Sequence, residues 1–173
     1  MDTSKIKVFD NVLNLLDVKT LRKQILFTPM TWNGADKKET PVNTLTKELT
    51  FEDNLTQKFH KIATNVIPQI ESHKFYRCGI NLTMPQFDPP YFHTDGDNVI
   101  SCVFYLNPIT DTDEGGETQF EIDDAIYGVK SKPGRLTIFD GSILHRMTYF
   151  RKEIRIIIFL KYYKNLKYNL FEM

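Results

Sequence analysis

From residue 75 onward the chain is a succession of short β-rich runs, at 75–83, 99–106, 117–122, 125–129, 135–139 and 154–163, each bounded by turn residues. Ahead of them the apolar residues recur at helical spacing instead. Val18, Leu21 and Ile25 follow Asp17, a residue suited to capping a helix. Phe51, Leu55, Phe59, Ile62, Val66 and Ile70 form one stripe behind Thr50 and Asp53, which resemble a capping box. A short strand is expected at 5–9. Helices followed by a run of strands, with no alternating βαβ units, predict an α+β, mainly β architecture in which helices support a β-sandwich or barrel. No glycine-rich loop follows a strand, which sets aside dinucleotide and P-loop binding.

The 173 residues are 41% hydrophobic and 13% aromatic, enough for one substantial core. One domain over 1–173 is expected, with 1–74 as helical support and 75–164 as the β core. The polar stretch at 33–47 reads as a surface loop and a candidate lid. Lys plus Arg and Asp plus Glu both number 22, so no strong net field draws the protein to nucleic acid or an acidic membrane. The opening ten residues lack the apolar run of a secretory signal, and no segment is apolar enough to cross a bilayer. A soluble, cytoplasmic protein is the expectation. Cys78 and Cys102 both fall in strand-like runs and are expected to be reduced and buried.

Chemistry enters at 91–97, Tyr-Phe-His-Thr-Asp-Gly-Asp. His93 and Asp95 are two apart, so on an extended chain their side chains project to one side and can grip one metal. Alone, such a pair arises readily by accident. Fifty residues later His145 is expected at a strand end, and Arg155 opens the last β-rich run ten positions further on. Two histidines and one carboxylate leave open positions on an octahedral ion, as a non-haem iron centre requires, whereas a structural zinc site closes all four of its own. Arg155 shares a strand face with Ile157 and Phe159. A cation among such neighbours needs an anion, and the guanidinium fork fits a carboxylate.

These elements, together with Tyr105-Leu106-Asn107, the 115–120 segment Gly-Gly-Glu-Thr-Gln-Phe and the 132–139 segment beginning Lys-Pro-Gly, resemble the prolyl 4-hydroxylase-like branch of the 2-oxoglutarate and iron(II) oxygenases. The resemblance runs from about 75 to 163, and the opening segment 8–13 is similar to how such domains begin. It implies a double-stranded β-helix, or jelly roll, with Fe(II) on His93, Asp95 and His145. It also implies 2-oxoglutarate as cosubstrate, O2 as oxidant and ascorbate as a candidate reductant. By the same resemblance Arg155 holds the distal carboxylate of 2-oxoglutarate and Tyr105 shares it. Asn81 stands where relatives carry the first residue of an Asn-x-Tyr contact, and Thr83 here replaces the tyrosine. Thr137 is a candidate hydroxyl contact. The implied reaction is hydroxylation of a C–H bond with release of succinate and CO2.

Tyr91, Phe92, Phe104 and Phe139 are candidate walls of a dry pocket. The loop at 33–47 and the proline-flanked segment 85–90 are expected at its mouth. The substrate is expected to be a peptide, such as a peptidyl proline, or a small molecule such as a free amino acid. The final run continues Ile156-Ile157-Ile158-Phe159-Leu160 after Arg155 without further arginines, which argues against nucleic acid. His60 and His73 read as ordinary residues, and Gly115-Gly116 as a tight turn. Two other classes remain at this point, a non-catalytic jelly-roll binding module and a zinc hydrolase on the same three ligands.

Overall fold

The computed structural model describes residues 3–32, 43–86, 90–108, 112–165, 167–168 and 170–171. Its elements in order are β1 (Ile6–Phe9), α1 (Leu15–Leu26), β2 (Thr31–Trp32), β3 (Thr44–Leu49), α2 (Asn54–Val66), β4 (Lys74–Thr83), β5 (Val99–Tyr105), β6 (Thr118–Ile122), β7 (Ala125–Val129), β8 (Leu136–Asp140), β9 (His145–Met147) and β10 (Arg155–Tyr163). A 3-10 turn at Pro68–Ser72 joins α2 to β4. Seven strands form one antiparallel sheet in the order β1-β8-β5-β10-β4-β3-β2, and three form a second in the order β7-β6-β9. This is the jelly-roll class anticipated from the β-rich runs.

Alternation along β10 explains how the layers are arranged. Ile156, Ile158, Leu160 and Tyr162 share one face and belong to the larger core cluster with Val18, Leu21 and Ile25 of α1 and Phe59 and Ala63 of α2. The helices therefore cover the outer face of the large sheet. The opposite face carries Arg155, Ile157, Phe159 and Lys161. Of these, Ile157 packs with Val103, Tyr105, Phe120 and Phe139 in a second cluster between the two sheets. A strand buried on both faces has no polar alternation to show, which is why β10 reads as one apolar run.

Phe59 is fully buried, and its ring meets Phe104 of β5 edge-to-face at 4.6 Å. Phe104 thus faces the helices and not the pocket for which it was a candidate. Phe59→Ala should cost about 3–5 kcal/mol, since it leaves a ring-sized void under a rigid sheet. Urea unfolding would show this as a lower midpoint with an unchanged slope. A loss below about 1 kcal/mol would mean that α2 is only loosely docked.

Local expectations differ from the structure in four places. Asn14, not Asp17, caps α1: its side chain accepts from the Asp17 backbone N–H at 2.8 Å, and Asp17 lies in the first turn. Thr50 and Asp53 form only half of a capping box: the Asp53 carboxylate accepts from Thr50 N–H at 2.7 Å, but the Thr50 hydroxyl donates to that same carboxylate at 3.2 Å and caps no backbone N–H, and α2 opens after Asp53. The first half is more than helical support, since β1 and β3 are integral strands of the large sheet. Of the stretch expected as a loop at 33–47, residues 33–42 lie outside the described residues and Thr44 onward is strand β3.

Both cysteines are free and buried. Leu160 pairs with Cys78 on one side and with Cys102 on the other, so the two lie two strand spacings apart, roughly 9.5 Å. That separation exceeds the reach of a disulfide. Burial pushes the Cys78 thiol up to about 11 and raises Cys102 further, leaving almost no thiolate at neutral pH. A thiol reagent should find no reactive cysteine in the native protein and two after denaturation under non-reducing conditions. Fewer than two would contradict this geometry.

Candidate active site

Cross-strand register places the inward-facing residues of the large sheet in successive rows. Thr44, Thr83 and Arg155 make the first, and Thr46, Asn81, Ile157 and Tyr105 the second. Gly79, Phe159, Val103 and Thr137 follow, and then Arg77, Lys161, Ser101 and Phe139. Gly79 is the one residue type that fits its row. A Cβ there would lie 2.7 Å from the Phe159 ring and 2.9 Å from the Lys47 carbonyl. Between this face and the small sheet lies a cavity of about 530 Å³, lined at one end by Arg155 and Thr118 and at the other by His93, Asp95, His145 and Lys161.

His93 and His145 face each other as an isolated antiparallel bridge, each backbone N–H donating to the other's carbonyl at 2.9 Å. Asp95 N–H and Gly96 N–H both reach the Gly141 carbonyl, at 2.8 and 3.2 Å. Lys164 then ties the Asp97 carbonyl to the Asp140 carboxylate, at 2.7 and 2.6 Å. The segment after His93 is therefore pinned to the end of β8 and not carried by a regular strand. The two side chains expected to project together from an extended chain do converge, through this looped backbone. His93, Asp95 and His145 each offer a ligand atom, all within 4.8 Å of one another.

Their protonation states suit a cation. Burial pushes the His145 imidazole down to about 4, against the opposing pull of Asp95, so the ring is neutral at pH 7. Its Nδ1 lies 2.8 Å from the Ile143 carbonyl, which can only accept, so Nδ1 carries the proton and Nε2 presents a lone pair. That lone pair faces Asp95 Oδ2 at 3.6 Å. Burial by itself would raise the Asp95 carboxyl, yet the Lys161 ammonium, His145 and Ser101 outweigh it and hold Asp95 below the usual carboxylate range. Two acceptors facing each other with no proton between them is an arrangement that a metal ion satisfies.

At the other end Arg155 is 2% exposed. Its Nε donates to the Gly116 carbonyl at 3.3 Å and its Nη2 to Thr118 Oγ1 at 3.2 Å, and its guanidinium lies 5.6 Å from the centre of the Tyr105 ring. No carboxylate pairs with it among the described residues. Gly116 adopts φ +79° with the Phe150 ring packed where a Cβ would go, so the expected turn also delivers a carbonyl to the arginine. The Tyr105 hydroxyl and Thr118 Oγ1 lie 2.6 Å apart, which sets both hydroxyls beside the cation.

Other expected residues fall into place or outside it. Asn81 lines the cavity and accepts from Thr46 at 3.1 Å. Thr83 is buried beside Arg155 in register, its hydroxyl 3.1 Å from that of Thr44, and does not itself line the cavity. Thr137 is fully buried, has no hydrogen-bond partner for its hydroxyl and also stands outside the lining. Tyr91, Phe92, Phe139 and Pro90 do line it, whereas 87–89 lie outside the described residues. His60 shares a 3.0 Å hydrogen bond with Tyr162, and His73 accepts from Asn165 N–H at 2.9 Å, both remote from the cavity lining. Thr118, Met147, Ser101 and Lys161 belong to the site although sequence reasoning assigned them no role. For Lys161 the signal was there, because its position two inward steps beyond Ile157 puts it on the same face as Arg155.

Residues 80–163 match the family model of the 2OG-Fe(II) oxygenase superfamily, and this stretch contains all three potential ligands and Arg155. No curated protein matches the chain in sequence. Solved structures share the fold. A prolyl-4-hydroxylase of Pseudomonas putida superposes with TM-score 0.73 at 16% identity, covering 94% of each chain. A prolyl hydroxylase of Trichoplax adhaerens, in complex with a hypoxia inducible factor peptide fragment, gives 0.68 at 15%, covering 93% of this chain and 84% of that one. HygX of Streptomyces hygroscopicus, with nickel, 2-oxoglutarate and hygromycin B bound, gives 0.73 at 10%, covering 95% and 84%. Over its site-bearing core, residues 80–163, the chain is therefore similar to the 2OG-Fe(II) oxygenase superfamily, and it shares its fold with the prolyl-4-hydroxylase of Pseudomonas putida.

Proposed function

We propose that the protein is a 2-oxoglutarate-dependent dioxygenase in which His93, Asp95 and His145 hold Fe(II) and Arg155 anchors the distal carboxylate of 2-oxoglutarate. The observation that carries the reading is the buried guanidinium with no carboxylate partner among the described residues, opening onto the same cavity as three convergent metal ligands. A zinc hydrolase has no use for that cation, and a module without the chemistry has no use for the ligands.

When bound, the iron and its cosubstrate couple decarboxylation of 2-oxoglutarate, with release of succinate and CO2, to hydroxylation of a C–H bond by O2. The chain's own residues position and enclose. Arg155 would hold the distal carboxylate, with the Thr118 and Tyr105 hydroxyls at its side. Val103, Phe139, Ile157 and Phe159 line the path from there to the ligands and exclude water. His145 keeps its proton on Nδ1, which donates to the Ile143 carbonyl, so the Nε2 lone pair would be free to hold a metal.

The substrate class that fits is a peptide, including one presenting a proline, or a small molecule such as an amino acid. Structural relatives with a peptide and with hygromycin B bound support both. We also read 1–173 as one domain, because α1, α2 and β1–β3 complete the core around the large sheet. No helix among the described residues is long and apolar enough to cross a membrane, and two free thiols suit a reducing compartment such as the cytoplasm. The test is succinate formation from 2-oxoglutarate with Fe(II), with and without ascorbate, across a panel of proline-containing peptides and free amino acids. Turnover stimulated by one class assigns it, and no succinate with any of them would remove the dioxygenase reading.

A further inference from the structure

We propose that Lys161 is the resident counter-ion of Asp95 and sets the affinity of the metal site by competing with the divalent cation for that carboxylate. The inference rests on the assignment of His93, Asp95 and His145 as ligands. Lys161 Nζ lies 2.5 Å from Asp95 Oδ1, and Ser101 Oγ lies 2.5 Å from Oδ2. Both ionic side chains are largely enclosed, with 17% of the lysine and 9% of the aspartate exposed. An ammonium held this close to a mostly buried carboxylate is a strong interaction compared with an exposed ion pair.

The arrangement is built into the register. Lys161 stands opposite Ser101 of β5 on one side and Arg77 of β4 on the other, so two donors to one carboxylate are set by adjacent strands of one rigid sheet. Like charges directly opposite on neighbouring strands repel. Here each cation has an acid: Arg77 pairs with Glu48, and Lys161 with Asp95. Both cations also flank the Phe159 ring, at 5.3 and 5.6 Å from its centre. Asp95 is thus the anion that lets Lys161 occupy this row, and it is also the one acidic member of the ligand set.

Two consequences follow, with opposite signs for the two states of the protein. An ion held by Asp95 and His145 would lie one carboxylate away from the ammonium, so the lysine would repel it and draw charge from its ligand. In the metal-free protein the same ammonium neutralises a buried carboxylate. Removing the positive charge should therefore weaken the metal-free fold and strengthen metal binding, whereas a lysine that merely filled the cavity mouth would change stability and leave affinity alone.

The experiment is titration of the metal-free protein with Mn(II), read by the electron paramagnetic resonance signal of free Mn(II), beside thermal unfolding with and without the ion. Lys161→Met is expected to bind Mn(II) roughly tenfold more tightly than wild type and to show a larger thermal upshift on Mn(II) addition. Lys161→Gln, which keeps a donor without the charge, should follow it, and Lys161→Arg should stay near wild type. Wild-type or weaker affinity in both neutral variants overturns the inference. His145→Ala in the same titration separates the two readings. If the neutral Lys161 variants bind no more tightly than wild type while His145→Ala loses Mn(II), the ligand assignment stands and only the counter-ion role fails, and if His145→Ala binds like wild type the assignment itself is wrong.

Discussion

Arg155→Gln is expected to raise the apparent KM for 2-oxoglutarate by roughly one to three powers of ten while leaving metal affinity nearly unchanged. The lost interaction is a charge-assisted, bidentate hydrogen bond made inside an enclosed cavity, where it should be worth about 2–4 kcal/mol. Gln keeps much of the side-chain volume, and its amide nitrogen, at the place of the arginine Nε, can still donate toward the Gly116 carbonyl, so packing is largely preserved. The cosubstrate-free protein gives an independent check. Arg155 is 2% exposed with no carboxylate partner among the described residues, and an uncompensated buried charge costs stability. The variant should therefore unfold no earlier than wild type in the absence of 2-oxoglutarate, and should lose the extra stabilisation that 2-oxoglutarate gives the parent. Identical saturation curves for the two proteins would show that the carboxylate is anchored elsewhere.

Much of this fold was legible because the strands of a jelly roll alternate or run apolar between turns. The six β-rich runs all became strands with boundaries shifted by at most about one or two residues, as element ends usually do. β3 escaped because its inward face is polar. Thr44 and Thr46 line the cavity and bond Thr83 and Asn81, so the pattern that marks a buried strand is inverted where a strand borders a site. The cap of α1 was misassigned for a different reason. Asn14 and Asp17 are both good caps three residues apart, and only the entry path of the chain decides between them.

The candidate site was legible where spacing carries geometry and opaque where register does. Arg155 on a face with Ile157 and Phe159 needed only the extended chain, whereas the i and i+2 spacing of His93 and Asp95 pointed to a convergence that the structure reaches through a loop pinned to Gly141. Thr118 comes beside Arg155 through its pairing with Met147 and Val129 across the small sheet, a relation between segments that no local pattern encodes. Ser101 and Lys161 could be placed on the inward face by parity, yet their convergence on Asp95 depends on the loop that Gly141 and Lys164 pin. Phe104 shows the converse. As an aromatic in a buried strand it suits either face, and its odd offset from Val103 and Tyr105 turns it to the opposite face, toward the helices.

His145→Ala should abolish turnover of 2-oxoglutarate and weaken Fe(II) binding by at least about a hundredfold, because two remaining ligands hold a labile ion poorly. The structure makes this variant a clean one. His145 contributes its imidazole to the cavity, while its backbone N–H and carbonyl form the bridge to His93, and alanine preserves both. The neighbouring rings of Phe139 and His93, centred 4.7 and 4.5 Å away, lose a contact, which predicts a modest loss of stability and not unfolding. Folded-state circular dichroism should match wild type, and Asp95 keeps Lys161 and Ser101 as partners, so no buried carboxylate is left unpaired. Calorimetric titration with Fe(II) under anaerobic conditions reads the affinity, and succinate formation reads the turnover. A variant that bound Fe(II) as wild type does would place the metal away from these three residues, and with it the reacting end of the cavity.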